Sequence, residues 1–283
     1  MIGRLLLAID RSGHAEEAVR ATAELAADLS AEVRVLHVHE TPIAASMYAA
    51  GELEAAHVET LEAAEALVER TVTRLRDAGL TASGRVTLAG GTTAGEIVAA
   101  AREWDADLIA IGALGASRWH ELLVGGVAHA VAQLATCPVL VVPRRAAPGS
   151  LRRMVLGADG SSGAARAAAL TAELSACLHA AVLVVHVAEE IPAEHDPEAI
   201  ARAAAEAVGA DRVTCARVRI AGPGGAAGGL RAEALDFGAG LLVVGRRGRS
   251  PLLRLLLGGV SERLLHITPC PLLVVPEADP AVQ

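Results

Sequence analysis

The chain of 283 residues contains no lysine, so all 25 of its basic residues are arginine. This absence excludes a Walker A phosphate loop and a Schiff-base lysine, because both require a lysine side chain. Aromatic residues make up only 1% of the chain, which argues against stacking platforms for single-stranded nucleic acid. A formal net charge of -8 argues against general affinity for nucleic acid or anionic membranes. We therefore predict neither as a partner.

Long apolar runs are also absent, since no stretch approaches the roughly 18 residues that a membrane-spanning helix needs. No signal-like segment precedes the apolar run Gly3–Ile9, which leads directly to Asp10. We expect a cytoplasmic location from this pattern.

The chain does contain a glycine motif of the form G-x2-G-x9-G, and this motif occurs twice. Each copy begins at the end of a short apolar run and is followed by Cys-Pro and a second apolar run. The glycines of the two copies are Gly112, Gly115 and Gly125, and Gly245, Gly248 and Gly258. Two identical spacings indicate two backbone-lined anion sites in one polypeptide.

The two halves of the chain align with each other beyond this motif. Leu5–Ser12 corresponds to Met154–Ser161 at an offset of 149 residues, whereas Gly112 corresponds to Gly245 at an offset of 133. The second copy is therefore 16 residues shorter between its second strand and its glycine motif. Pro143–Ser150 carries turn residues and no apolar period, as expected for a linker. We predict a first domain at residues 1–146 and a second at residues 147–283.

Within each copy, short apolar runs alternate with helical patterns. In the first copy we predict strands at Gly3–Ile9, Glu32–Val38, near Val86–Ala89, Asp107–Ile111 and Val139–Val142. We predict helices at about His14–Leu29, within Ser46–Ala78, at Ala94–Trp104 and at about Gly126–Leu134. Val-, Leu- and Ile-rich strands separated by helices are typical of a parallel sheet covered on both faces. The predicted fold is two tandem five-stranded, doubly wound, Rossmann-like α/β domains.

In such a sheet, ligands bind beyond the carboxyl ends of the strands, where the strand order reverses. Asp10 and Asp159 follow the first strand of each copy, and Gly112 and Gly245 follow the fourth. If strands one and four are neighbours, these loops face each other across one crevice.

The residues around the motif are suited to an anion. Glycine lets the backbone turn sharply and approach a ligand closely. Gly125 and Gly126 lie directly before a helix, whose free N–H groups favour a phosphate. In the second copy, Arg247 or Arg249 could add a bidentate contact.

The aspartates have two interpretations. The carboxylate of Asp10 or Asp159 could accept hydrogen bonds from a ribose hydroxyl or an adenine amino group, or it could cap the following helix. His37 and His39 share a strand end, but His186 repeats His37 without a second histidine, which favours packing over metal binding. We predict no metal-ligating residue, and no spacing of residues requires catalysis.

These residues carry a resemblance to the universal stress protein family in its tandem two-domain form. The similar segments are AIDRS and GADGS, LHV and VHV, and the blocks GALGASRWHELLVGGVAHAVAQLATCPVLVV and GRRGRSPLLRLLLGGVSERLLHITPCPLLVV. Members with this motif bind ATP or related adenine nucleotides. The resemblance implies that Asp10 and Asp159 contact the nucleoside, that Val38 and Val187 meet the adenine through their backbone, that Gly112 and Gly245 lie at the ribose, and that the phosphates are held by Gly115 with Gly125 and by Gly248 with Gly258.

The chain departs from the family pattern after the last glycine, where the family has Ser or Thr and this chain has Gly126 and Gly259. A phosphate would keep the backbone N–H groups but lose one hydroxyl donor, at a cost of about 0.5–1.5 kcal/mol in each site. The first copy continues with Val127 and Ala128. The second continues with Val260 and Ser261 and adds arginines, so we expect it to bind phosphate better. Its 16-residue deletion would leave the adenine more exposed.

Three functions are compatible with the sequence. The first is a stress-response switch that binds ATP, ADP or AMP, with Mg²⁺ on the phosphates. The second is a nucleotide-independent interaction scaffold, and the third is a slow ATP hydrolase. The last strand of each copy is expected at a sheet edge, where pairing between the two halves or between two chains in a homodimer would cover it.

Overall fold

The computed structural model describes residues 2–11, 15–39, 60–113, 126–144, 146, 150–188, 196–209, 211–248 and 257–277. The elements of the first half are β1 Arg4–Ala8, α1 Ala15–Leu29, β2 Glu32–His39, α2 Leu61–Asp77, β3 Ala82–Leu88, α3 Thr93–Glu103, β4 Leu108–Gly112, α4 Gly126–Leu134 and β5 Val139–Val142. Those of the second half are β6 Ser150–Gly157, α5 Ser162–Leu178, β7 Ala181–Ala188, α6 Pro197–Val208, β8 Val213–Ile220, α7 Gly225–Phe237, β9 Ala239–Gly245, α8 Gly259–Ile267 and β10 Leu272–Val275.

The predicted elements of the first half are present, with one clear difference in a strand boundary. β3 begins at Ala82, four residues before the predicted start at Val86. Most of its residues are exposed or half-buried, since β3 pairs on one side only. An edge strand of this kind carries little apolar signal. Of the predicted long helix, the structure describes Leu61–Asp77, capped by the hydroxyl of Thr60, and residues 46–59 lie outside the described ranges.

All ten strands form one sheet in the order β3-β2-β1-β4-β5-β10-β9-β6-β7-β8. Each half has the same internal order with parallel pairing, which confirms two tandem doubly wound α/β units. The halves are joined by the antiparallel pair β5–β10, in which Leu140 lies opposite Leu273. The last strands therefore lie in the middle of the sheet and pair with each other within the chain. As expected, each last strand is the edge of its own half, and pairing between the two halves covers it, while β3 and β8 are the edges of the combined sheet.

Further contacts link the two halves beside the sheet. Nη2 of Arg152 lies 3.7 Å from Oδ1 of Asp28, and Nε2 of His129 in α4 lies 3.7 Å from Oε1 of Glu262 in α8. The predicted domain boundary between residues 146 and 147 falls between β5 and β6 and stays a prediction. None of the helices within the described ranges is both long and apolar enough to cross a membrane.

The sheet is buried on both faces, which is why its strands read as continuous apolar runs. In β1, the side chains of Leu5, Leu6 and Leu7 have no exposed surface. β1 pairs with both β2 and β4, and β6 pairs with both β7 and β9. The strand order therefore reverses at β1–β4 and at β6–β9, as the crevice prediction required. In the second half this brings the aspartate loop beside the glycine loop, and in the first half it brings the end of β1 beside the end of β4.

Candidate functional site

The loop after β6 is held in place by the neighbouring strand β7. The main-chain N–H of Ala158 donates to Val185 at 2.9 Å. The Nδ1 atom of His186 lies 2.7 Å from the carbonyl oxygen of Ala158, which only accepts, so this buried ring donates there. Both polar groups of Ala158 are thus paired, and the next residue, Asp159, starts from a fixed position. The packing role predicted for His186 is in fact a hydrogen bond that positions this loop.

The Asp159 carboxylate uses one oxygen internally. Its Oδ1 accepts from the main-chain N–H of Ser161 at 2.9 Å and from the Ser161 hydroxyl at 2.6 Å. Ser161, not Asp159, is the N-cap of α5, since its hydroxyl accepts from the N–H of Ala164 at 3.1 Å. Within the described residues Oδ2 has no hydrogen-bond partner. This geometry removes the capping interpretation for Asp159 and leaves an acceptor for a ligand.

The end of β9 packs backbone to backbone against the first turn of α5. A Cβ added at Gly245 would lie 2.6 Å from the carbonyl carbon of Gly163 and 2.8 Å from the nitrogen of Ala164. A Cβ added at Gly163 would lie 2.7 Å from the carbonyl oxygen of Arg247. Because real Cβ contacts are longer than this, both positions require glycine. The motif glycine therefore has a packing cause that is independent of any ligand.

Gly248 brings the glycine loop onto the aspartate. A Cβ at this position would lie 2.5 Å from Oδ2 of Asp159, the oxygen without a described partner. The loop backbone and the carboxylate thus enclose a narrow space that a side chain on residue 248 would fill. This is the crevice that the sequence predicted between the first and fourth strands.

Helix α8 starts at the same crevice with an open N-terminus. Its N-cap, Gly258, offers no side-chain cap, and the Gly258 N–H itself donates to the carbonyl of Arg246 at 2.9 Å. A Cβ at Gly259 would meet nothing within 4 Å. The N–H groups of the first helical turn have no intrahelical acceptor, so together with the helix dipole they form an anion site.

The Ser261 hydroxyl is not available to this anion site as a donor. It is buried and donates to the carbonyl oxygen of Gly245 at 2.7 Å, which fixes α8 to the end of β9. Of the predicted contacts of Ser261, only its main-chain N–H remains for a ligand.

These groups line one cleft of about 600 Å³, which is called the second cleft because it lies in the second half of the chain. Every candidate residue of the second copy contributes to its wall: Asp159, Val187, Gly245, Arg247, Gly248, Gly258, Gly259, Val260 and Ser261. The wall also contains residues that we did not predict, namely Gly157, Ala158, Ala164, Val185, Ala226, Leu230, Val244 and Leu257. Ala226 and Leu230 lie four residues apart on α7, so helical periodicity in the sequence could have shown that they share one apolar face of this helix. Together with Val187 they give the cleft apolar lining.

Arg247 is paired within the protein. Its Nη1 donates to Oε2 of Glu277 at 2.9 Å, and its side chain is only 14% exposed. Contact with a ligand phosphate would therefore compete with Glu277. The other predicted arginine, Arg249, lies outside the described residues. Burial lowers the pKa of the Arg246 guanidinium, and the neighbouring positive charge of Arg247 lowers it further.

The first copy repeats the strand-end geometry. The Nδ1 atom of His37 lies 2.9 Å from the carbonyl oxygen of Ile9, as His186 does from Ala158, and so positions Asp10. Val38 is the last residue but one of β2, Gly112 ends β4, and Gly126 and Val127 open α4. Gly115 and Gly125 lie outside the described residues. Over the described ranges, no three His, Cys, Asp or Glu side chains come together in a way that could hold a metal ion.

Parallel pairing within each half, with the same reversal of strand order in both, defines a tandem pair of doubly wound α/β domains. The model of the universal stress protein family matches residues 1–143 and 150–276, and the chain belongs to this family. Universal stress protein YxiE of Bacillus subtilis is 30% identical over 149 residues, which cover 50% of this chain and 99% of that protein.

Solved structures show the same architecture. A universal stress protein from Archaeoglobus fulgidus is 22% identical and covers 98% of this chain and 97% of that chain, with a TM-score of 0.70. This likeness shows the tandem fold. A universal stress protein from the same organism, 27% identical over 50% of this chain and 98% of that chain with a TM-score of 0.36, was solved in complex with dAMP.

Proposed function

We propose that the chain binds an adenine nucleotide, ATP, ADP or AMP, in the second cleft and acts as a nucleotide-dependent switch in a cytoplasmic stress response. The observation that carries this proposal is that a carboxylate oxygen without a described partner and an uncapped helix N-terminus line the same cleft of about 600 Å³. One group suits a nucleoside and the other a phosphate. The apolar residues that line the same cleft suit a base.

The residues of the second cleft fit a nucleotide in the following way. Asp159 would accept from a ribose hydroxyl or the adenine amino group, and the backbone of Val187 would meet the adenine, with Leu230 against the ring. Gly245 would lie at the ribose. The phosphates would lie at Gly248, Gly258 and the first turn of α8. Mg²⁺ would be held on the phosphates rather than by side chains.

We propose the corresponding roles for Asp10, Val38, Gly112, Gly126 and Val127, together with Gly115 and Gly125. The site that these residues of the first half would form is called the first cleft. The second cleft should bind phosphate more tightly, because it has arginines near the motif. The pairing of Arg247 with Glu277 reduces this advantage, because the ion pair carries no net charge.

The proposal is tested by thermal unfolding with ATP, ADP and AMP, checked by isothermal titration calorimetry. At about 100 times its dissociation constant, a bound nucleotide should stabilise the folded protein by about 2.7 kcal/mol. The Asp10→Ala/Asp159→Ala double variant is the control and should show a much smaller shift at the same nucleotide concentration. No shift of the unmodified protein with any of the three nucleotides at millimolar concentration would refute the proposal.

Restoring the missing hydroxyl should strengthen binding. Gly259→Ser adds a hydroxyl donor at the start of α8, and the open space around Gly259 accepts the new side chain. We expect ATP to bind about five-fold more tightly, as one additional hydrogen bond would give. Gly259→Ala is the matched control because it adds the Cβ without the hydroxyl. Equal affinities for the two variants would show that this position does not contact phosphate.

The second candidate function is a nucleotide-independent interaction scaffold. The observation that favours it is that the Ser261 hydroxyl donates to Gly245, so the described part of α8 offers no hydroxyl donor to a phosphate. Nucleotide retained in the purified protein would exclude this candidate. A homodimer through the sheet edges and slow ATP hydrolysis remain predictions from the sequence.

A further inference from the structure

The loop that follows β9 depends on the main chain of Arg246. Its N–H donates to the carbonyl of Val275 at 2.7 Å, which ties the loop to the end of β10. Its carbonyl accepts from the N–H of Gly258 at 2.9 Å, which holds the N-cap of α8. The position of Arg246 therefore sets the distance between the glycine loop and the helix start that together form the anion site.

The side chain of Arg246 reaches out of its own domain. Its Nη1 donates to the carbonyl oxygens of Ala135 at 2.8 Å and Gln133 at 3.2 Å. These carbonyls belong to the carboxyl-terminal end of α4 and the residue that follows it, more than 100 positions away in the sequence. Carbonyls at a helix end have no intrahelical donor, and the helix dipole favours a cation there. The first domain thus supplies the anchor for a residue at the second cleft.

At the equivalent position, which the structure describes, the first half has no such anchor. The corresponding residue there is Ala113, whose N–H donates to the carbonyl of Val142 at 2.8 Å, just as Arg246 donates to Val275. The two loops therefore share their main-chain bond, but a methyl group cannot donate to the opposite domain. Of these two equivalent positions, only the one in the second half carries an anchoring side chain.

We propose that Arg246 is a positioning residue that uses the first domain to hold the glycine loop of the second cleft in its binding geometry. The order of the second cleft then depends on the pairing of the two domains, whereas the first cleft lacks this dependence. The consequence for nucleotide affinity rests on the function proposed above. The consequence for the position of the loop does not depend on that function.

The loop is tested without any ligand by hydrogen–deuterium exchange of the full-length chain. Arg246→Met keeps the length of the side chain but removes its donors, and exchange of the Gly258 N–H should become about ten-fold faster through local opening. Arg246→Lys keeps a charged donor and should restore most of the protection. The control is Arg231→Met, because Nε of Arg231 donates to the carbonyl of Ile267 at 3.1 Å, at the end of α8 but within one domain. It should leave Gly258 unchanged.

Two outcomes would overturn this proposal: unchanged exchange of Gly258 in Arg246→Met, or equal acceleration in Arg246→Met and Arg231→Met. A general loss of stability is recognised because it accelerates the core strand amides as well. Rescue by lysine is not expected if the side chain acts only through its volume.

Nucleotide titration provides the second readout. In an Asp10→Ala background, which weakens the first cleft so that the second dominates the titration, Arg246→Met should weaken ATP binding about five-fold to ten-fold, as loss of a charge-assisted hydrogen bond would cause. Arg246→Lys should recover most of the affinity, and Arg231→Met should retain it. If the background protein binds no ATP while Gly258 still responds to Arg246→Met, the proposed function has failed and the positioning role stands. If ATP binds equally with and without the Arg246 donors, the positioning role has failed.

Discussion

Gly245→Ala is expected to lower the free energy of unfolding by about 3 kcal/mol and to abolish nucleotide binding at the second cleft. The added Cβ would lie 2.6 Å and 2.9 Å from the carbonyl carbon and oxygen of Gly163. Backbone atoms cannot rotate away as the end of a flexible side chain can, so β9 and the start of α5 must separate. Urea unfolding followed by circular dichroism measures the stability loss, and calorimetry in an Asp10→Ala background measures the binding.

The matched control is Gly259→Ala, which adds the same methyl group to the same cleft where nothing lies within 4 Å. Its stability should stay within about 0.5 kcal/mol of the unmodified chain. If Gly245→Ala proves as stable as this control, the close packing of β9 on α5 is not as described.

Asp159→Ala is expected to weaken ATP binding at the second cleft about 30-fold, because a hydrogen bond to a charged acceptor contributes about 1.5–3 kcal/mol. Calorimetry in the Asp10→Ala background measures this loss. The substitution also removes the acceptor for the N–H and hydroxyl of Ser161, so unfolding should cost about 1 kcal/mol less.

Asp196→Ala separates the two effects. Asp196 is the N-cap of α6, and its side chain accepts from the N–H of Glu198 at 3.0 Å. Its removal should cost about 1 kcal/mol of stability and leave ATP binding unchanged. Equal affinities of Asp159→Ala and Asp196→Ala would mean that Asp159 has only a structural role.

The parts of the fold that the sequence predicted well are those that depend on local patterns. The continuous apolar runs of β1, β4 and β5 follow from burial on both faces of the sheet, and α4 has the predicted bounds Gly126–Leu134. The neighbouring positions of the first and fourth strands followed from the general topology of doubly wound sheets and are confirmed. β3 was placed too late because an edge strand is only partly buried.

The candidate site was predicted through its glycines and aspartates, which follow strand ends in both copies. The apolar wall from Ala226 and Leu230 was missed because helical periodicity shows that a face is buried without showing what it faces. The capping role of Ser161 was not predicted, because Asp159 was the residue expected to cap this helix if it did not bind a ligand. Both side chains can accept from a backbone N–H, and only the path of the chain determines which oxygen reaches Ala164.

By itself, the sequence determined the duplication, the two α/β domains and the residues that lie at the ends of their strands. Hydrophobic periodicity reflects local burial, and glycine spacing reflects positions where the backbone must turn or pack closely. Both patterns occur twice along the chain. Only the tertiary structure decided that β5 pairs with β10, that Ser261 donates to Gly245, and that Arg246 reaches the end of α4. These contacts join atoms that are far apart in the sequence and meet only when the chain folds. How far a side chain extends and which way a carbonyl points at such a contact cannot be inferred from local sequence patterns.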